Sequence, residues 1–331
     1  MSEKNFSRRE FLKRNSLIGL QAILATGITG SLLGKSLSPS HRRDDLPGSE
    51  PIIDIHQHIH YHGRTDEQMI SHQQTMGITK SILLPAGRDV NSASTHFGVS
   101  NGLQVKAGGN KDCYEFAKKH PEAFTFGACE VPDLPDAVQE IEKYLKLGAV
   151  IIGELKFGVD CDSAGMQKIY QLAQHYEVPV LMHWQYKMYN YHFERFYKML
   201  EKYPRVNFIG HAQTWWANID KNETDQSVLY PKGAVTMGGL TDRYLSDYPN
   251  LYGDLSAGSG LSGLTRDEDF TRDFFKRHQD KLVYGSDCAD AVGQGKACDG
   301  AGIIAAVKRL SPTKEIERKL LYKNAKKIIR I

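Results

Sequence analysis

The chain has 331 residues, an apolar fraction of 40%, a charged fraction of 24% and a formal net charge of +3. These values are ordinary for a globular protein, and so small a net charge predicts neither a nucleic-acid partner nor strong attraction to a membrane surface. The length suits one barrel-sized domain preceded by a leader segment.

The N-terminal segment is predicted to lie outside the folded domain. The sequence SRREFLK at 7–13 precedes a mildly apolar stretch from Leu17 to Leu33. A twin arginine before an apolar run resembles a bacterial twin-arginine export signal. The stretch is interrupted by Gly, Ser and Thr, which makes it too weak for a stable membrane span of ~20 apolar residues. We therefore expect a signal over 1–38, a linker over 39–50, and an exported or periplasmic protein without stable membrane insertion. A single anchor or a disordered tail is the alternative.

From residue 51 onward, short apolar runs alternate with stretches of helical pattern. Such runs are typical of buried parallel strands, and the stretches between them predict crossover helices. The predicted strands are Ile52–His56, Thr79–Leu84, Phe124–Glu130, Ala149–Lys156, Val178–His183, Val206–His211, Leu251–Ser256 and Leu282–Ser286. The predicted helices are Asp66–Met76, Asn110–Lys119, Pro135–Leu147, Ser163–Tyr176, Tyr191–Lys202, Thr241–Ser246, Arg266–Arg277, Ala301–Leu310 and Thr313–Ile329. Eight such strands predict an α/β fold of the (β/α)8 TIM-barrel type, as one domain over 51–331.

Metal-binding side chains close several of the predicted strands. The runs IIDIHQH, VPVLMH, VNFIGH and LVYGSD end in or contain His56, His58, His183, His211 and Asp287. Because the C-terminal ends of barrel strands meet at one mouth, we expect these side chains to converge. In a regular strand Asp54, His56 and His58 would share one face, and two neutral imidazoles at that spacing can bind a divalent ion.

The same positions, with the phrases FIGHAQ, YGDLSAG and YGSD, resemble the amidohydrolase superfamily, in particular the amidohydrolase-related group called amidohydrolase family 2. The resemblance covers residues 51–331. It implies a metal-dependent hydrolase barrel with one divalent ion, zinc or else manganese, bound by His56, His58, His183 and Asp287. It also implies that Asp287 takes a proton from the water that the ion activates. His211 would orient that water or polarise the scissile carbonyl.

Strand four adds Glu154 and Lys156, which lie two positions apart and share a face in a regular strand. Glu154 resembles the bridging ligand of TatD-type DNases, and Lys156 resembles the carboxylated bridge of other two-metal amidohydrolases. The resemblance therefore allows a second ion, bound by Glu154, His183 and His211. A buried Glu154–Lys156 ion pair, or a lysine that contacts substrate, is the alternative.

Aromatic, amide and hydroxyl groups follow strands five to seven and are predicted to face a substrate pocket. With Lys156, the predicted substrate contacts are Trp184, Gln185, Gln213, Trp215 and Ser256. The alternative is that half of the side chains after strands five and six pack under the long loop. Cys288 and Cys298 could form a disulfide in an oxidising compartment, and two free, partly buried thiols are the alternative.

The function that these features predict is hydrolysis of a C–O or C–N bond in a lactone, ester or amide, with a small-molecule substrate and a metal-activated water. The alternative is non-oxidative decarboxylation of an aromatic or unsaturated carboxylic acid, because the amidohydrolase-related group contains both kinds of enzyme. A metal-binding exported protein without activity and a two-metal phosphodiesterase are further alternatives. The sequence leaves the oligomeric state open, a homo-oligomer included.

Overall fold

The computed structural model describes residues 50–88 and 106–331, so the predicted signal segment and all but the last residue of the predicted linker lie outside it. The described residues contain eight strands, all of them at predicted positions. They are β1 Ile53–Gln57, β2 Lys80–Leu83, β3 Phe124–Phe126, β4 Ile152–Leu155, β5 Val180–His183, β6 Phe208–His211, β7 Leu251–Asp254 and β8 Leu282–Val283. Several predicted strands extend further because the residues that follow leave the hydrogen-bonded ladder at the barrel mouth.

Helices alternate with the strands. They are α1 Asp66–Thr75, α2 Asn110–Lys119, α3 Ala137–Lys146, α4 Ala164–Tyr176, α5 Tyr197–Lys202, α6 Gln213–Ala217, α7 Leu240–Asp247, α8 Ala257–Thr265, α9 Glu268–Arg277, α10 Asp299–Leu310, α11 Lys314–Arg318 and α12 Asn324–Ile328. A π-helical segment at Lys319–Lys323 divides the predicted last helix in two. In the part of the chain that the structure describes, no helix combines the length and apolar character needed to cross a membrane.

The strands close into a ring. All neighbouring pairs run parallel, in the orders β1-β2-β3 and β4 to β8. A parallel bridge between Ala128 and Ile152 joins the two groups at one seam. At the other seam the Ile55 amide donates to the Tyr284 carbonyl at 3.1 Å, and the Asp287 amide donates to the His56 carbonyl at 2.7 Å. The predicted (β/α)8 barrel is thereby confirmed.

An apolar layer fills the barrel interior below the mouth. Its strand residues are Ile53, Ile55, Ile82, Leu84, Ile151, Leu181, Ile209, Tyr252 and Val283, and residues around α12 pack against them. On β5, β6 and β7 the residues two positions further along are His183, His211 and Asp254. Because residues i and i+2 of a strand share a face, these polar groups form the next layer toward the mouth.

Two strands carry a β-bulge where they supply the site. Between Asp54 and Gln57, β1 advances three residues while β2 advances two, and β4 does the same against β5 between Ile152 and Leu155. A bulge re-aims the side chains on one strand. Ile55 therefore belongs to the interior layer while the adjacent His56 contributes to the site, so the simple alternation predicted for β1 is interrupted.

Candidate functional site

His56 and His58 aim the same ring nitrogen at one point. Their Nε2 atoms lie 3.1 Å apart, and both side chains are completely buried. Nδ1 of His58 lies 2.8 Å from the Leu84 carbonyl, and Nδ1 of His56 lies 2.7 Å from Oδ2 of Asp254. A carbonyl and a carboxylate only accept hydrogen bonds, so both Nδ1 atoms carry a proton, and each ring in its neutral form directs the Nε2 lone pair at the shared point.

Two carboxylate oxygens face the same point. Oε2 of Glu154 lies 3.7 Å from His56 Nε2 and 3.5 Å from His58 Nε2. Oδ1 of Asp287 lies 3.8 Å and 3.4 Å from the same two nitrogens. Both oxygens are buried without a hydrogen-bond partner in the described residues. Carboxylate oxygens and imidazole lone pairs do not pair with one another, so this arrangement of donors favours positive charge between them.

The second oxygen of Glu154 faces a different pair of rings. Oε1 lies 2.6 Å from Nδ1 of His183 and 3.7 Å from Nε2 of His211. His211 Nε2 also lies 3.6 Å from Oδ2 of Asp287. The structure therefore places His183 with Glu154 and His211. The resemblance to the amidohydrolase superfamily had instead implied that His183 binds one ion together with His56, His58 and Asp287. Glu154 and Asp287 stand between the two groups of donors.

Ser256 and Asp254 orient His211 and His56 through hydrogen bonds with their Nδ1 atoms. The Ser256 hydroxyl donates to Oδ2 of Asp254 at 2.7 Å, so its oxygen accepts from Nδ1 of His211 at 2.8 Å. His211 consequently presents an Nε2 lone pair to the two carboxylates. Ser256 is completely buried in this network. Its predicted role as a substrate contact is wrong, because its hydroxyl is used within the protein.

Asp54 and Arg64 hold the strand ends together. Asp54 accepts hydrogen bonds from the Ser286 backbone amide at 2.8 Å and from the His56 amide at 3.0 Å, which ties β1 to the segment after β8. The buried guanidinium of Arg64 donates to Oε1 of Gln57 at 2.7 Å and to the His58 carbonyl at 2.9 Å. These bonds position the backbone on both sides of His56.

Electrostatics keep the carboxylates charged. Burial opposes ionisation of Asp287, but the positive charge of a protonated His56 and the close approach of His58 outweigh it and hold the pKa of Asp287 well below its usual value. Burial, followed by the charge of His56, lowers the pKa of His211 to about 3 and keeps that ring neutral. Burial also resists a charge on His56, yet Asp287 and Asp254 raise its pKa well above the ordinary value. The centre thus attracts positive charge, as a proton or as a metal ion.

A polar cavity of about 300 Å³ opens above the carboxylates. Lys156 and Gln213 line it as predicted, together with Tyr61, Ser259 and Asp299, which the sequence did not single out. The ammonium of Lys156 lies 5.4 Å from the centre of the Tyr189 ring. Gln185 lines a neighbouring cavity of about 470 Å³, and its Oε1 lies 3.2 Å from Nε2 of His183.

Trp184 and Trp215 do not line the pocket, and their prediction as substrate contacts is wrong. Trp184 is 1% exposed and packs on Phe193 and Phe196 with ring centres 4.8 Å away in both cases. It follows His183 directly, so strand alternation turns it toward the helices. Trp215 is fully buried, and a Cβ at Gly210 would lie 2.1 Å from its ring.

The donor set fits a divalent cation. Imidazole nitrogens and carboxylate oxygens are the ligands that zinc and manganese accept in proteins. The donors form three overlapping sets, and within each set the donor atoms lie within 4.8 Å of one another. The sets are His56, His58 and Glu154; His56, His211 and Asp287; and Glu154, His183 and His211. The buried oxygens of Glu154 and Asp287, which have no hydrogen-bond partner in the described residues, are the observation that a cation at this point would explain.

The chain matches a known protein family and is similar in fold to several solved structures. A family model described as amidohydrolase matches residues 53–331, and no curated protein matches the chain. A crystal structure of a probable 2-pyrone-4,6-dicarboxylic acid hydrolase from Acinetobacter baumannii has a TM-score of 0.54 at 13% identity, over 84% of this chain and 99% of that one. A 2,6-dihydroxybenzoate decarboxylase from Rhizobium has a TM-score of 0.53 at 14% identity, over 85% and 98%. A manganese-bound 5-carboxyvanillate decarboxylase from Novosphingobium aromaticivorans has a TM-score of 0.50 at 14% identity, over 80% of each chain. At these identities the likeness shows the fold.

Proposed function

The chain belongs to the amidohydrolase family, and from that premise we propose that it is a metal-dependent hydrolase of a small carbonyl compound, cleaving the C–O or C–N bond of a lactone, ester or amide. The observation that carries the proposal is the convergence of Glu154 and Asp287 on His56 and His58: the two histidine Nε2 atoms lie 3.1 Å apart, and each carboxylate places an oxygen 3.4 to 3.8 Å from them. The polar cavity directly above them has room for a small substrate.

We assign the divalent-ion ligands as His56, His58, Glu154, Asp287 and His211, with His183 completing the second group. Glu154 supports two ions, because its two oxygens face different sets of histidines. Zinc is proposed as the metal, with manganese as the alternative that the Novosphingobium structure suggests. A divalent ion supplies Lewis acidity, which polarises a carbonyl and lowers the pKa of a nearby water.

The protein groups then have separate tasks. Asp287 is ionised and sits in the cavity wall with 11% of its side chain exposed, so it can take a proton from the attacking water and return it to the leaving group. Lys156 and Gln213 both line the cavity and are proposed to hold substrate oxygens. Ser256 and Asp254 act as positioning residues through His211 and His56.

The same centre supports decarboxylation as a second candidate. The protonated form of Asp287 would deliver its proton to a substrate carbon instead of to a leaving group. The two decarboxylases with the same fold motivate this candidate, because their printed substrates are aromatic acids. His56 favours hydrolysis, because some decarboxylases of the group carry Glu at the corresponding position.

The two reactions are distinguished by product. The purified protein, loaded with zinc or manganese, is assayed against a panel of lactones, esters and amides by acid release, and against aromatic acids by carbon dioxide release. Acid release that disappears on chelation and returns with metal supports the hydrolase. Carbon dioxide release alone would replace it with the decarboxylase, and inactivity on both panels with every metal would remove the proposed reaction class.

We further propose that the protein is exported through the segment around Arg8 and Arg9, which lies outside the described residues. Support comes from the arginine pair and the mildly apolar stretch that follows it. Replacement of both arginines by lysine should retain the protein in the cytoplasmic fraction. Equal distribution of both forms between fractions would contradict export by this route.

A further inference from the structure

We propose a second metal site, separate from the catalytic centre, formed by His72, Cys288, Asp290 and Cys298. One donor atom from each residue lies within 4.8 Å of those of the other three. His72 comes from α1, Cys288 and Asp290 from the loop after β8, and Cys298 from the start of α10. Two sulfurs, one imidazole and one carboxylate form a four-donor set of the kind that holds structural zinc.

The separations between donors approach those around a tetrahedral zinc ion. Sγ of Cys288 lies 3.2 Å from Sγ of Cys298, which in turn lies 3.8 Å from Nε2 of His72. Nε2 of His72 lies 3.0 Å from Oδ1 of Asp290. Two thiolates on one zinc are about 3.8 Å apart, since each Zn–S bond is ~2.3 Å. A shift of about half an ångström in one sulfur would therefore bring the two sulfurs to that separation.

A backbone amide donates a hydrogen bond to each of the two sulfurs. The Gly300 amide donates to Sγ of Cys288 at 3.0 Å, and the Ala301 amide donates to Sγ of Cys298 at 3.4 Å. Both amides belong to the first turn of the 12-residue helix α10, whose N-terminal dipole stabilises negative charge. A disulfide would engage the two sulfurs only, whereas a metal ion also accounts for the approach of His72 and Asp290.

The site would stabilise the loop that carries the proposed base. Asp287 immediately precedes Cys288, and Arg64 donates to the carbonyls of Cys288 and Asp290 at 3.1 Å each. Because Arg64 also holds β1 beside His58, an ion bound to this loop would restrain both sides of the catalytic centre. The side chain of Asp290 is 11% exposed in the wall of the substrate cavity, which provides a path for the metal.

Cobalt substitution tests the proposal without using activity. The catalytic centre offers nitrogen and oxygen donors, so a thiolate-to-cobalt charge-transfer band in the near ultraviolet reports on the sulfurs alone. The full chain is stripped of metal under a reductant and titrated with Co²⁺. We expect the band in the wild type and its loss in Cys298→Ser, together with the loss of about one bound ion per chain. Serine is a preferred N-cap residue, so this variant keeps the start of α10.

Two control variants sharpen the test. Cys161, whose thiol donates to the His192 carbonyl at 3.4 Å, is distant in sequence from the four donors, so Cys161→Ser should keep the band. Cys129 donates to the Glu154 carbonyl at 3.1 Å and is the thiol beside the catalytic centre, so a band that survives Cys298→Ser but disappears in Cys129→Ser would overturn the proposal. Absence of the band from the wild type would also overturn it, and would leave an ordinary His72–Asp290 hydrogen bond beside two thiols.

Discussion

The Nε2 atoms of His56 and His58 lie 3.1 Å apart, and both face the carboxylates of Glu154 and Asp287. Nδ1 of His58 is used by the Leu84 carbonyl and Nδ1 of His56 by Asp254. When both rings are neutral, their two facing lone pairs repel each other, and the oxygens of Glu154 and Asp287 add negative charge nearby. A divalent cation turns this repulsion into four favourable contacts, and the proposed activity depends on it.

Asp287→Asn should lower kcat roughly 10³-fold, because the amide cannot accept the proton that the carboxylate accepts. Asp287 has a φ of 46°, in the left-handed region that asparagine tolerates well, so the variant should fold. Steady-state kinetics and the melting temperature are measured together, with the exposed Asp280→Asn as the control that keeps activity. An active Asp287→Asn enzyme would show that another group moves the proton.

Glu154→Gln should reduce the bound metal by about one ion per chain, measured by elemental analysis after dialysis. The amide keeps the size of the side chain but loses the charge, and its nitrogen is not a ligand. The effect is expected because Oε1 and Oε2 face different histidines. A wild-type protein with a single ion in this centre and an unchanged count in the variant would leave Glu154 without a bridging role. The ion bound at Cys288 and Cys298 can be counted separately from those in the catalytic centre, because only that ion gives the cobalt–thiolate band.

Ser256→Ala should weaken metal binding about 10- to 100-fold, the usual range when the support of a ligating histidine is removed. Loss of the hydroxyl leaves Nδ1 of His211 without its acceptor at 2.8 Å. Ser259→Ala is the matched control. The Ser259 hydroxyl is buried in α8 without a hydrogen-bond partner in the described residues, so its removal should not change the metal affinity. Competition with a chromogenic chelator measures both affinities, and equal values for the two variants would contradict the positioning role.

Asp242 should make folding sensitive to acid. Burial opposes its charge, but hydrogen bonds with His278 and Arg277 lower its pKa to about 2 from 3.8. The stabilisation is therefore present above the unfolded pKa of 3.8 and is lost as the pH falls through about 2. It amounts to about 2 kcal/mol, at 1.36 kcal/mol per pKa unit.

Asp242→Asn should thus reduce the free energy of unfolding at pH 7 and flatten its decline between pH 4 and pH 2, as followed by denaturant titration. Asp247→Asn, at the exposed end of the same helix, is the control and should leave the curve close to that of the wild type. Parallel curves for Asp242→Asn and the wild type across this range would show that the buried contacts contribute nothing.

The barrel and most of the centre could be predicted from the sequence because apolar strands and their terminal residues follow a simple rule. His183 and His211 end parallel strands and His56 lies one residue before the end of β1, and parallel strands bring such ends together. The bulges in β1 and β4 could not be predicted, since they depend on pairing with β2 and β5. Without them, the order of side chains near His56 and Glu154 could not be derived.

Other features depend on tertiary packing. Helix α8 was not predicted because glycine disfavours helices, yet a Cβ at Gly260 would lie 2.0 Å from the Leu255 carbonyl. Close packing therefore requires glycine there. Trp184 was assigned to the pocket from its place beside His183, and strand alternation, applied one residue further, places it in the core. The approach of His72 to Cys298 joins residues 226 positions apart, and no local pattern reveals it.

Anomalous diffraction from crystals grown with zinc or manganese tests the central claim most directly. We expect an anomalous peak within ~2.3 Å of Nε2 of both His56 and His58 and of one oxygen each of Glu154 and Asp287. We expect a second peak beside His211, on the other oxygen of Glu154. Crystals soaked in either metal that show no anomalous density among these side chains would contradict the account.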